Sequence, residues 1–175
     1  MARPARADLT SWLSTGGGYS FSYNNGTKSY EPAGVFSGVI GVGSAPAAPV
    51  VIGGVVRATI RFGLGTDVGL MARGTSGGFS RGDWGLAVDV GVSLRTWTHG
   101  VYGPWPIQSV ILLGAPWGVQ LAVGSDIVSI GNEPPARGGF ALLEFDFLRF
   151  TLMRQGSTDR WWRNPSPAGG RMKEP

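Results

Sequence analysis

The sequence holds no cysteine, which excludes disulfide scaffolds, thiolate metal sites and cysteine nucleophiles. Charge is scarce. Asp, Glu, Lys and Arg make up 15% of the 175 residues, against about a quarter in an ordinary soluble domain. Lysine is nearly missing from the apolar segments, and His99 is the single histidine. No apolar run approaches the ~18 residues a membrane helix needs, and helical periodicity is nearly absent. Residues 1–12, MARPARADLTSW, carry bases but not the apolar core of a signal peptide. The formal net charge is +4, yet the bases are spread out rather than clustered. That gives no footprint for nucleic acid, and a mild attraction to acidic lipid head groups is the more natural reading.

What is abundant is glycine, 30 residues without a collagen period, together with strict alternation. The stretch GDWGLAVDVGVSLRTW, residues 82–97, shows both. Its even positions are Trp84, Leu86, Val88, Val90, Val92 and Leu94. Its odd positions are Gly85, Ala87, Asp89, Gly91, Ser93 and Arg95. Period two means a strand with two different faces, one large and apolar, the other tiny with an acid and a base.

The same pattern recurs along the chain, each time ended by Gly, Pro or Asn. Strands are expected at about 12–23, 34–43, 50–63, 66–73, 82–97, 107–113, 117–125 and 140–153. Asn24-Asn25-Gly26 reads as a turn, because Asn and Gly tolerate positive φ. Residues 74–82, 98–106 and 132–139 read as loops, and Gly114-Ala115-Pro116 as a tight turn. The alternation slips near Leu148-Arg149, where a bulge is expected. The fold class is therefore all-β. An antiparallel up-and-down β-barrel of about eight strands is expected over 12–154, with closure removing the exposed edges. A C-terminal tail, disordered or extended, occupies 155–175.

The next question is which face points inward. A soluble barrel wets a face rich in Lys, Glu, Thr and Gln. Here the polar face carries Gly, Ala and Ser with scattered charge. It suits a narrow lumen in which small residues fit and opposite charges pair. The expected interior network is Arg57, Arg61, Arg73, Asp89, Arg95, Glu144 and Asp146. The large face then meets lipid, as in transmembrane barrels. Tyr19, Tyr23, Trp84, Trp97, Trp105 and Trp117 lie near strand ends, as an aromatic girdle would.

The segments VVRATIRFG, DVGLMARG, DWGLAVDVGVSLRTW, WGVQLAVGSD and FALLEFDFLRF carry a resemblance. They resemble strands of the small eight-stranded outer-membrane β-barrels of Gram-negative bacteria. The likeness is one of pattern rather than of motif, and it covers about residues 12–154. It implies an outer-membrane location with the signal peptide already removed. The soluble alternative, a β-barrel or β-sandwich binding an apolar ligand or assembling with partner proteins, would be cytoplasmic. The implied partners are outer-membrane lipid and, through loops or tail, other envelope proteins.

Chemistry is thin. The resemblance also implies a second alternative, a lipid-modifying barrel enzyme using His99, since some barrels of this size class act on lipid A and some use a Ser/His pair. His99 has no placed Ser partner, so an exposed loop position is the better reading and no catalytic residue is assigned. Glu144 and Asp146 share a strand face, but the arginines beside them favour a salt-bridge network over acid/base work. Gly41-Val42-Gly43 and Gly63-Leu64-Gly65 do not complete a dinucleotide loop. Asp83 and Asp126 lie near loops without calcium-loop spacing. Arg160-Trp161-Trp162-Arg163 reads as an interfacial or packed tail. No metal or cofactor is expected.

Overall fold

The computed structural model describes residues 9–45, 48–97, 102, 105–129 and 137–149. Eight strands follow one another as an up-and-down meander: β1 (Thr10–Asn24), β2 (Ser29–Gly43), β3 (Val50–Arg61), β4 (Gly65–Ser76), β5 (Gly85–Arg95), β6 (Pro106–Gly114), β7 (Val119–Ser129) and β8 (Gly138–Asp146). Each pairs antiparallel with its neighbours, and β8 returns to β1 to close the barrel. Val, Ile, Thr and aromatic residues favour this pleated form, and alternation sends successive side chains to opposite faces.

The turns follow local chemistry. Asn24 Oδ1 accepts from the backbone N–H of Gly26 at 2.8 Å and of Thr27 at 3.2 Å, and Lys28 adopts φ 58° to enter β2. Between β4 and β5 the expected loop is replaced. β4 runs on to Ser76, and α1 (Gly77–Arg81) forms a single helical turn. Ser76 caps it through Phe79 N–H, and the Phe79 ring is buried in the lumen.

The end of β8 also departs from expectation. Among the described residues no bulge carries the strand on past Asp146. β8 stops at Asp146, whose Oδ1 accepts from the N–H groups of Leu148 and Arg149 at 3.0 and 3.2 Å. That carboxylate caps a helical turn over residues 147–149. The irregular register lies instead between Ile107 and Gln108, on the β6–β7 pair. The tail expected at 155–175 lies outside the described residues.

The two ends of the barrel differ. One carries the start of β1, the end of β8, and α1; this is the terminal end. The other carries the β1–β2 and β3–β4 turns and is the hairpin end. Around the wall, Leu13, Ile40, Val56 and Leu70 sit side by side on β1 to β4. They point outward, Ile40 at 61% and Leu70 at 71% exposure, so they contact the surroundings and not the core. The inward face is a mixture. An apolar cluster around Trp12, Val35, Val55, Phe79, Leu112 and Phe140 shares it with buried charge. Small residues make the room for these rings. A side chain at Gly124 would start 2.2 Å from the Phe140 ring, and one at Gly43 would start 2.5 Å from the Trp12 ring.

Candidate functional site: the charged lumen

Every charged residue of the strands except Glu31 is buried: Arg57, Arg61, Asp67, Arg73, Asp89, Arg95, Asp126, Glu144 and Asp146. Parity explains why. Each occupies the strand face that carries the glycines and serines. Buried charges need partners, and cross-strand register supplies them. Asp67 lies directly opposite Arg95 and Asp89 opposite Arg73, while Gln108 faces Asp126 and Gln120 faces Glu144.

Toward the hairpin end, two arginines and two aspartates form a closed quartet. Arg95 Nε and Nη2 donate to Asp67 at 3.0 and 3.1 Å, and Nη2 also reaches Asp126 at 2.8 Å. Arg61 joins the same carboxylates at 3.2 and 3.4 Å and donates to Ser22 Oγ at 2.8 Å. Gln108 donates to Asp126 at 2.9 Å, and Ser93 donates to Gln108 at 2.8 Å.

Above the quartet lies an aromatic lid. Trp97 Nε1 donates to Asp67 at 2.9 Å, and the Arg95 guanidinium sits 4.7 Å from its ring centre. Tyr102 packs on Trp97 at 4.6 Å between centroids. Its carbonyl accepts from Arg95 at 2.8 Å, and its hydroxyl donates to Glu31, which Asn24 also holds at 2.7 Å. Burial, followed by this bond to a carboxylate, pushes the Tyr102 hydroxyl up to about 12.

The middle tier is built from forks. Arg73 grips Asp89 with two bonds of 2.6 and 2.7 Å. Arg57 crosses to Glu144 and Ser37, the latter at 2.9 Å, and Gln120 completes Glu144 at 2.8 Å. At the terminal end Arg149 bonds Asp146 and the carbonyls of Ser80 and Ser11, the latter two at 2.7 and 3.2 Å. It ties α1 and β1 to the end of β8.

Of the interior residues expected from sequence, Arg57, Arg73, Asp89 and Glu144 fall in one connected group. Arg61 and Arg95 share the quartet, and Asp146 joins Arg149 instead. Sequence reasoning missed Asp67, Asp126, Gln108, Gln120 and Arg149. Asp67 shares parity with Arg73 on the same segment, and Gln120 lies on the small face of 117–125, so alternation pointed to both. The segment 107–113 alternates poorly, which hid Gln108, and Asp126 lies one place past the expected strand end. Arg149 lies beyond the strand, and no periodic signal points to it.

Trp97 requires a correction. It was expected in the outer girdle, but it is 6% exposed and faces the lumen. It shares odd parity with Asp89 and Arg95, and Asp67 supplies the partner its indole N–H needs. Trp84, Trp105 and Tyr19 do face outward, at 65%, 46% and 59% exposure. Tyr23 is half-buried against Tyr30, with the Arg137 guanidinium 5.8 Å from its ring centre. The side chain of Trp117 and the whole of His99 lie outside the described residues.

The arrangement neutralises itself. Arg57, Arg61, Arg73, Arg95 and Arg149 cancel Asp67, Asp89, Asp126, Glu144 and Asp146 one for one. Each of these carboxylates is held by a guanidinium. Among the described residues no group of His, Cys, Asp and Glu is placed to hold a metal ion. Against protein-family models, curated proteins and solved structures, the chain finds no match.

Proposed function

We propose that this chain is an integral outer-membrane β-barrel with a structural or envelope-interaction role and no catalysis. One observation carries the reading: strand charges are buried in the lumen, while the outer wall is apolar around its girth. Water would favour the opposite sorting, and soluble monomers rarely expose an apolar patch beyond a few hundred Å². Hydrocarbon favours this one, because an inward charge keeps its partners and an outward Leu or Val costs nothing.

Dimensions agree. β4 has 12 residues. At about 3.3 Å per residue and a tilt of about 40°, such a strand spans roughly 30 Å, the thickness of a bilayer core. The lumen is filled by side chains, which supports a role other than a wide diffusion pore. Its carboxylates are already engaged, which supports a role other than acid/base catalysis. On this reading the direct partner is outer-membrane lipid. Contacts with other envelope proteins then fall to the connections at 98–105 and 130–137 and to the tail.

The test is fractionation followed by a gel run with unheated and heated samples. Partition with membranes, a need for detergent and a heat-dependent mobility shift are expected. Protein that is monodisperse in plain buffer would overturn the reading.

A further inference from the structure

Four buried polar atoms have no hydrogen-bond partner among the described residues: Trp12 Nε1, Ser14 Oγ, Arg57 Nε and Arg57 Nη2. Their residues are 1%, 2% and 1% exposed, so outside solvent does not serve them. Register brings them to one side of the lumen. Trp12 and Ser14 are successive inward positions on β1. Ser14 is level with Val39 on β2, and Val39 is level with Arg57 on β3. The Arg57 side chain then crosses to Glu144, which is level with Gly16, the next inward position of β1.

The Trp12 ring faces the Arg73 guanidinium at 5.2 Å, and Arg73 holds Asp89. Asp89 in turn lies 3.7 Å from Arg57 Nη2. That distance leaves an ion pair without a hydrogen bond. Ser14, Arg57, Asp89 and Glu144 thus occupy neighbouring inward positions beside β1, and Trp12, the next inward position along β1, is linked to them through Arg73.

Chemistry narrows the occupant. The three nitrogen atoms can only donate, so they require an acceptor. A small anion would accept from all of them. However, the guanidinium and carboxylate groups of the lumen already cancel. An anion would leave one buried charge unpaired, a heavier penalty than a missing hydrogen bond. Water adds no charge. It accepts from Arg57 and Trp12 and donates to Asp89, Glu144 or Ser14, within the two to four partners usual for a buried water.

We propose that this tier is a water-binding site, with ordered water joining Arg57 to Asp89 and receiving the Trp12 indole N–H. Buried Trp97 and Tyr102 lie toward the hairpin end of this tier, and buried Phe79 and Arg149 toward the terminal end. The water is enclosed and exchanges slowly with bulk. The site depends only on the lumen and holds whichever medium surrounds the outer wall.

The test is water-selected NOE and ROE spectroscopy on the full ¹⁵N-labelled chain in micelles. The Trp12 Nε1–H and Arg57 Nε–H signals are assigned through bonds, so no variant is needed. Both are expected to show cross-peaks to water with the NOE sign of a long-lived molecule. Those peaks are expected to be unchanged when chloride is exchanged for nitrate. Absence of both cross-peaks, with exposed Trp84 giving one as control, would make the tier dry and overturn the proposal. So would signals that move together on titration with nitrate, which would assign the tier to an anion.

Discussion

At the scale of single residues, the Arg73–Asp89 pair is the clearest unit of the lumen. The two face each other across β4 and β5 and close a two-bond fork. Removing one partner strands a buried charge, which costs about 3–5 kcal/mol. Asp89→Asn and Arg73→Met are each expected to lose that much in denaturant titrations of the refolded barrel. The double variant Arg73→Met with Asp89→Leu is expected to recover most of the loss, since no charge is left unpaired. A double variant as weak as the sum of the two would show that the fork is not the unit. Tyr102 gives a pH dependence of definite sign. Its hydroxyl is raised from 10.0 to about 12 in the folded chain. The folded state therefore holds this proton more tightly than the unfolded one. The lid contact is fully present below about pH 10 and is lost as pH rises toward 12. Proteolysis of the 98–105 connection is expected to accelerate across that window, and Tyr102→Phe is expected to abolish the step. The interior placement of Arg73, Asp89, Arg95 and Glu144 was legible from parity alone. Trp97 was misread because proximity to a strand end outweighed its parity with Arg95. Its partner, Asp67, lies a whole strand away, where no local pattern reaches.

At the scale of elements, period two made most of the strands visible, because one face is mostly large and the other mostly small. Only the segment 107–113 alternates poorly, with Val110 and Leu112 on its inward face. Register was not visible. It depends on closure and on partners many residues apart, such as Gln120 with Glu144. Helix α1 was hidden for a different reason: five residues are too few to display a 3.6-residue period. The glycine-rich inward face has an element-level consequence. Gly124 on β7 lies opposite Phe140 on β8, and a Cβ there would meet the ring at 2.2 Å. The ring is 2% exposed, with the Arg57 guanidinium 6.0 Å from its centre. Gly124→Ala is expected to cost about 1–3 kcal/mol through overpacking of the β7–β8 pair. Adding Phe140→Leu is expected to restore part of it, because the shorter side chain vacates the contested volume. An unaltered unfolding midpoint for Gly124→Ala would mean that the wall yields at this point without strain.

At the scale of the whole molecule, the lumen and the outer wall follow opposite rules, and substitutions on the wall separate the two possible surroundings. Leu70 is in the middle of β4 and 71% exposed, while Phe62 is beside the β3–β4 turn and 62% exposed. The two are matched in exposure but differ in height along the barrel. In hydrocarbon, an arginine near the mid-plane costs about 2–4 kcal/mol and one near the interface about 0–1 kcal/mol. In water, an exposed Leu or Phe replaced by arginine changes stability by no more than about 0.5 kcal/mol at either height. Leu70→Arg is therefore expected to lower the stability of the barrel refolded into vesicles several-fold more than Phe62→Arg does. The measurement is the unfolding free energy of each variant by tryptophan emission in urea, with the unaltered chain as reference. A steep dependence on height means the wall is solvated by lipid. Equal, small effects at both heights would mean that the wall faces water, and the apolar girth would then need a protein partner to cover it.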